Sequence, residues 1–104
     1  MPGQLPSYKI RTTRLFDDWL HGLRDKRAKN RIDARVRRLA TGNFGDAKAV
    51  GQGVSELRID YGPGYRVYFY MRKSELIMLL CGGDKSTQQR DIVRACKLAE
   101  DAKE

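Results

Sequence analysis

The stretch "GVSELRIDYGPGYRVYFY", residues 53–70, decides the fold because it holds two alternating apolar and polar segments around a tight turn. In the first segment Leu57 and Ile59 share one side of a strand, and Arg58 lies on the other. The "GPG" at residues 62–64 predicts the turn, since proline fixes φ and glycine accepts positive φ. So short a connection cannot form a crossover, so the stretch predicts an antiparallel hairpin.

Two further strands are predicted outside this hairpin. A third strand over Leu76–Cys81 follows a short "RKSE" turn, so it continues the antiparallel meander. Near the start of the chain, Tyr8–Thr12 combines alternation with β-propensity and predicts one short strand. The glycine-rich segment 43–53 predicts an ordered loop. The sequence therefore predicts an antiparallel sheet of about four strands.

Three helices are predicted from apolar residues that recur every three or four positions. The first runs from Arg14 to near Arg24, and the second begins at about Lys26 and ends before "TGN" at residues 41–43, a typical helix C-cap. A C-terminal helix follows the "GGDKS" loop and directs three residues inward: Ile92, Cys96 and Ala99.

A helical hairpin followed by a meander buries its apolar residues when the helices pack on one face of the sheet. We therefore predict a two-layer α+β fold. The chain has 104 residues, which is enough for a single domain with one core. We expect residues 1–6 and 101–104 to be loosely held at the ends.

The charge balance indicates an anionic partner. Lys and Arg number 21 against 13 Asp and Glu, a formal net charge of +8, which favours nucleic acid or an acidic protein as the partner. No long apolar run or signal-peptide pattern occurs, so we expect a cytoplasmic protein that does not contact a membrane. Cys81 and Cys96 are expected to be reduced, buried thiols. One His and two Cys give no zinc ligand set, so no metal or cofactor is expected.

The second face of the predicted hairpin carries the candidate binding residues. Alternation places Arg58, Arg66, Tyr68 and Tyr70 on a face that the helices leave open, and Lys85 joins them if the following loop folds over it. Aromatic rings stack on bases and guanidinium groups pair with phosphate oxygens, so this face suits single-stranded RNA.

Structural interpretations of the same residues stay open. Cross-strand Arg and Tyr pairs can simply shield a sheet face, and Arg58 and Arg66 can form ion pairs with Glu56 or Asp60. Lys85 can be a surface lysine at the start of a helix.

Further basic positions widen the candidate RNA-binding surface. They are Arg72 at the end of the second hairpin strand, and Arg37 and Arg38 on the basic face of the second helix. A charged helix face that is only solvated is the alternative for that helix. His21 is the only histidine, but its place in the first helix makes a catalytic role the minor interpretation.

The chain from about Phe16 to Ala99 resembles the RelE/ParE superfamily of toxins, and within it the HigB-like, phage Gp49-like branch of addiction-module killer proteins. The resemblance rests on "FDDWLHGLRD", "RLATGNFGDAKAVGQGVSELRIDYGPGYRVYF" and "CGGDKSTQQRDIVRA", in family order and spacing. It implies the toxin of a type II toxin-antitoxin system, acting as a ribosome-dependent mRNA endonuclease. Its expected partners are the ribosome, mRNA and a cognate helix-turn-helix antitoxin, through which alone it would reach operator DNA.

The resemblance also implies site residues. The family's functional cations fall on Arg58 of "ELRI", Arg66 of "GYRVYF" and Lys85 of "GGDKS", with Tyr68 beside Arg66. Metal-independent cleavage would use the RNA 2′-hydroxyl as nucleophile. We expect clustered positive charge to lower the pKa of Tyr68, so Tyr68 and Lys85 are the acid-base candidates. The general base remains unassigned because the chain lacks the terminal group that many ribonuclease relatives carry.

Two other functions fit the same resemblance and composition. ParE-like relatives inhibit DNA gyrase by binding it, without cutting RNA. A non-catalytic RNA-binding module would use the same Arg and Tyr residues. Joint retention of Arg58, Arg66, Tyr68 and Lys85 favours the endonuclease, since a gyrase inhibitor needs no phosphate-binding cluster.

Overall fold

The protein forms a five-stranded mixed sheet with helices on both faces, in a computed structural model that describes residues 7–102. The elements in chain order are β1 Lys9–Thr12, α1 Arg14–Gly22, α2 Lys26–Ala40, β2 Ala47–Gly51, β3 Val54–Ile59, β4 Tyr65–Arg72, β5 Leu76–Gly83, a single 3₁₀ turn Lys85–Thr87, and α3 Gln88–Ala102.

The strands lie in the order β1-β5-β4-β3-β2. The meander β3-β4-β5 is antiparallel as predicted, because its short turns allow nothing else. β1 pairs in parallel with β5, so the expectation of a purely antiparallel sheet was wrong. The sequence pattern did not indicate the direction in which β1 pairs, because the whole helical hairpin and three strands separate it from β5.

The predicted count of about four strands was also wrong. Within the predicted loop 43–53, residues Ala47–Gly51 form β2, which pairs with β3 at the edge of the sheet. Its sequence "AKAVG" has small side chains and glycine, which are weak strand formers. Backbone hydrogen bonds to β3 hold it in place. Such pairing does not require alternating apolar and polar side chains, so the sequence pattern did not predict it.

The helical hairpin covers one face of the sheet, as predicted. Phe16 of α1 and Ile32 of α2 are buried against Leu57, Val67 and Phe69 of the central strands. This is the face on which the alternation placed the apolar residues of β3 and β4.

Each helix of the hairpin has a side-chain N-cap. The Thr13 hydroxyl accepts a hydrogen bond from the Phe16 N–H, and the Asp25 carboxylate accepts from the N–H groups of Arg27 and Ala28. Such caps satisfy donors that have no partner within the helix. They therefore stabilise the starts of α1 and α2.

The second face of the sheet is covered by α3, so the predicted two-layer fold with one open face was wrong. Ala95 and Ala99 of α3 are buried against Tyr68 and Tyr70 of β4 and Leu80 of β5. Both surfaces carry an apolar stripe, and joining them removes both from water. One strand carries both aromatic and charged residues on this face. The sequence pattern therefore did not indicate that part of the face is apolar.

Cys81 belongs to β5 and lies beneath α3, and Cys96 belongs to α3 itself. Both are free thiols, but only Cys81 is buried as predicted, whereas Cys96 is half-buried. Burial, reinforced by the charge of Asp91, raises the pKa of Cys81 to about 12. The Cys81 thiol is therefore protonated and unreactive at neutral pH.

The prediction of loose ends concerns residues that fall mostly outside the described range. Residues 1–6 and 103–104 are not described, whereas Asp101 and Ala102 continue α3. Between residues 7 and 102, no helix combines the length and apolar character needed to cross a membrane.

Candidate functional site

A cleft of about 520 Å³ opens beside the turn between β3 and β4. Three cationic side chains and two carboxylates line it, together with Ile59 and the turn glycines and proline. The charged residues are Arg58, Arg66, Lys85, Asp46 and Asp60. The structure thus brings together three of the four residues predicted as catalytic.

Strand register and one backbone contact hold these cations side by side. Arg58 of β3 and Arg66 of β4 are direct cross-strand partners, so their side chains leave the same face at adjacent positions. The Lys85 backbone N–H donates to the carbonyl of Pro63 at 3.4 Å, which attaches the segment after β5 to the β3–β4 turn. Gly64, at φ +80°, packs near the Lys85 side chain.

Arg58 is fixed by a carboxylate and by an arginine of α2. Its Nη2 lies 2.9 Å from Oδ1 of Asp46, and its Nε donates to the same oxygen at 3.2 Å. Arg35 donates to the backbone carbonyl of Arg58 at 2.5 Å and to those of Phe44 and Asp46 at 3.4 and 3.3 Å. The predicted alternative of an ion pair holds for Arg58, but its partner is Asp46 rather than Glu56 or Asp60.

Arg66 is fixed by a buried carboxylate. Its Nη1 lies 3.4 Å from Oε1 of Glu56, and the two side chains are 12% and 1% exposed. Glu56 also accepts hydrogen bonds from Tyr68 and from Gln88 of α3. The predicted ion pair between Arg66 and Glu56 is confirmed, and it coexists with the place of Arg66 in the cleft.

Tyr68 lies outside the cleft, contrary to the prediction of an accessible ring. Its side chain is 0% exposed beneath α3, and its hydroxyl donates to Oε2 of Glu56 at 3.1 Å. Burial, together with the nearby charge of Glu56, raises the pKa of Tyr68, and the opposing effect of Arg66 is smaller. The expectation that clustered cations lower this pKa was therefore wrong.

The structure does not bring the predicted RNA-binding residues together. Tyr70 is 3% exposed beneath α3. Arg72 is exposed at the far end of β4, about 20 Å along the strand from Arg66 at 3.3 Å per residue. Arg37 and Arg38 are exposed on α2, in the layer on the opposite side of the sheet from α3.

A smaller groove of about 260 Å³ lies next to the cleft. Ile59 and Asp60 line both depressions, and α2 supplies the other wall with Arg31, Arg35 and Arg38. Arg38 is therefore the one RNA-binding candidate on α2 that lines this groove.

Three residues of the site had no assigned role in the sequence interpretation. Asp46 and Arg35 carried no signal, since one sits in a predicted loop and the other on a uniformly basic helix face. Gln88 lies at the start of α3, whose position the sequence left open. Glu56 had a usable signal, because alternation places it on the same face as Arg58, where a carboxylate needs a cation or donor.

The cleft combines groups that bind an anion with one carboxylate that has no ion-pair partner among the described residues. Asp46 is engaged by Arg58, whereas Asp60 forms no ion pair or hydrogen bond within residues 7–102. No group of three or more His, Cys, Asp or Glu in that range is arranged to hold a metal ion. The cleft is thus suited to polar contacts with a phosphate group.

Two comparisons with known proteins are informative. A family model described as "Phage derived protein Gp49-like" matches residues 18–103. A protein of Haemophilus influenzae, described as "Uncharacterized protein", is 55% identical over 93 residues, which cover 89% of this chain and 94% of that protein. The family model spans the second half of α1, the elements from α2 onward and every residue that lines the cleft.

Proposed function

Because the chain belongs to the Gp49-like family of phage-derived proteins, a family associated with toxin-antitoxin toxins, we propose that it is a toxin that cleaves messenger RNA on the ribosome. The observation that carries the proposal is the convergence of Arg58, Arg66 and Lys85, from three separate segments, in one cleft. A cognate antitoxin is the partner that family membership supports, and the wider RelE/ParE relationship remains a prediction.

The cleft supports phosphodiester chemistry through charge. Two guanidinium groups at adjacent strand positions can pair with the non-bridging oxygens of one phosphate. The Nε of Arg66 is buried and has no hydrogen-bond partner in the described part of the chain. An unused buried donor of this kind costs about 1–3 kcal/mol.

A balanced reaction can be assigned to the cleft residues. The RNA 2′-hydroxyl attacks the adjacent phosphorus, its proton passes to the free carboxylate of Asp60, and the ammonium of Lys85 protonates the departing 5′ oxygen. The products are a 2′,3′-cyclic phosphate and a 5′-hydroxyl end. Arg58 and Arg66 stabilise the charge of the pentavalent phosphorus, a contribution worth about 100- to 1000-fold in rate per donor.

Transcript end-mapping after induction in a bacterial host tests the proposal. We expect new 5′-hydroxyl ends inside translated reading frames, and none when the purified protein meets the same RNA without ribosomes. Arg66→Gln should reduce the cuts by about 100- to 1000-fold, whereas Arg24→Lys, a change at an exposed arginine between α1 and α2, should keep them. Intact transcripts during growth arrest would refute the endonuclease.

One observation favours a second candidate. No aromatic ring among the described residues lines the cleft, and Tyr68 and Tyr70 are buried, so base stacking contributes less than the sequence indicated. A ParE-like toxin that binds DNA gyrase needs no stacking surface. Induction of the SOS response with intact messages would support this candidate.

A further inference from the structure

Glu56 is a carboxylate in the centre of β3 that does not reach the cleft. Its side chain is 1% exposed, and it is absent from the cleft lining. Burying a carboxylate costs several kcal/mol unless charged or polar partners compensate. A residue kept at that cost inside the sheet-helix interface needs an explanation, and its three partners supply one.

The two carboxylate oxygens of Glu56 have separate partners. Oε2 accepts hydrogen bonds from the Tyr68 hydroxyl at 3.1 Å and from Nε2 of Gln88 at 2.8 Å. Oε1 is the oxygen that faces Nη1 of Arg66 at 3.4 Å. Two donors from β4 and α3 therefore fix the rotation of the carboxylate, and this rotation presents Oε1 to Arg66.

Arg66 connects this buried group to the cleft. Its side chain is 12% exposed, lines the cleft, and forms no ion pair with any described residue other than Glu56. An arginine side chain loses about 2 kcal/mol of rotamer entropy when it is held in one conformation. A fixed carboxylate that orders the guanidinium before RNA arrives removes that cost from the reaction.

We propose that Glu56 is a positioning residue that holds the Arg66 guanidinium in the orientation needed for the reaction, through a carboxylate that Tyr68 and Gln88 lock in place. This inference rests on the proposed RNA cleavage. Glu56 touches no substrate and acts only through Arg66. It also assigns a role to Tyr68: its hydroxyl supports the positioning group instead of taking part in proton transfer.

A double-mutant cycle on the steady-state kinetics of RNA cleavage by ribosome complexes tests the coupling. Glu56→Gln keeps the shape and acceptor of the side chain but removes its charge, and we expect kcat to fall about 100-fold with little change in KM, the typical cost of misplacing a reacting group. In an Arg66→Gln background, the same change should cost less than about 3-fold, because residues acting as one unit are not additive. Equal losses in both backgrounds would overturn the proposal.

The matched control is Glu75→Gln, which removes one negative charge in the exposed turn between β4 and β5. It should leave kcat and KM unchanged. A loss as large as that of Glu56→Gln would mean that net charge, rather than the orientation of Arg66, sets the rate.

A second measurement requires neither cleavage nor a variant that folds. We expect the NMR order parameter of the Arg66 Nε–H in the wild-type protein to approach the rigid-backbone value of about 0.85, and that of exposed Arg72 to lie below about 0.6. Where Glu56→Gln folds, it should lower the Arg66 value. Arg66 as mobile as Arg72 in the wild type would refute the positioning role.

The cleavage assay and the order parameters test the proposed RNA cleavage and the positioning role of Glu56 separately. Absence of RNA cleavage by the wild-type protein would refute the proposed function, and the order parameters would still decide whether Glu56 orients Arg66. Cleavage with a mobile Arg66 would refute only the positioning role.

Discussion

The guanidinium of Arg66 lies 3.4 Å from the carboxylate of Glu56, a side chain that is 1% exposed between β3 and α3. Arg66 lines the cleft, and Glu56 lies in the interface between the sheet and α3. The ion pair therefore connects the cleft to that interface. A buried ion pair contributes little net stability, because desolvation offsets the attraction between its charges. Removal of one partner is costly, since it leaves a buried charge unpaired.

Arg66→Ala is therefore expected to lower the free energy of unfolding by about 3–5 kcal/mol, the usual cost of breaking a buried pair. Urea unfolding followed by circular dichroism provides the measurement.

The double variant Arg66→Ala with Glu56→Gln provides the control, because it removes both charges. We expect it to be more stable than Arg66→Ala alone. If the double variant is less stable by the sum of the two single effects, the two side chains do not interact as described.

Tyr68→Phe should flatten the alkaline limb of the stability curve. The ordinary tyrosine pKa is 10.0, and burial raises it in the folded protein. Above about pH 10 the unfolded chain loses this proton while the folded protein keeps it, so the free energy of unfolding falls as pH rises. Below about pH 10 the contribution is fully present. Urea unfolding at pH 8 to 11 should show a steeper loss for the wild type.

The comparison between the two proteins isolates Tyr68. Cys81 and Tyr61 also have raised pKa values, but both proteins carry them, so their contributions cancel. At pH 7, Tyr68→Phe should cost about 1 kcal/mol, since Glu56 loses one donor. Parallel pH profiles would show that the Tyr68 hydroxyl titrates alike in the folded and unfolded chains.

Gly82→Ala is expected to destabilise the protein by about 1–3 kcal/mol through overpacking. A Cβ at this position of β5 would lie 2.3 Å from the Trp19 ring of α1, too close for any relaxed contact. Gly22→Ala is the matched control, because nothing lies within 4 Å of the added methyl group and alanine favours helix. Thermal unfolding should show a lower Tm for the first variant and an unchanged or higher Tm for the second.

Arg35→Lys should weaken the attachment of the segment before β2. One ammonium cannot reproduce the guanidinium contacts with the carbonyls of Arg58, Phe44 and Asp46. We expect a loss of about 1.5–3 kcal/mol in unfolding free energy, the range for hydrogen bonds to charged groups. Arg37→Lys, on the exposed face of the same helix, should change stability by less than about 0.5 kcal/mol. Similar losses in the two variants would contradict the anchoring role of Arg35.

Much of the fold and part of the cleft could be predicted from the sequence. Alternation assigned Leu57 and Val67 to the helical face and Arg58 and Arg66 to the other, since side-chain direction in a strand depends only on position along it. The short turns then fixed the antiparallel pairing of β3, β4 and β5. Residues at paired positions of adjacent strands must lie close together, which is why the two arginines meet as expected.

Only the tertiary structure decided what covers each face. α3 packs on Tyr68 and Tyr70 because both surfaces lose apolar contact with water when they meet, and this choice depends on residues more than 20 positions apart in the chain. The same packing brings Gln88 to Glu56 and buries the ring that looked like an acid-base group. Local periodicity gives the direction of a side chain, but its exposure and its pKa depend on whichever distant element packs against it.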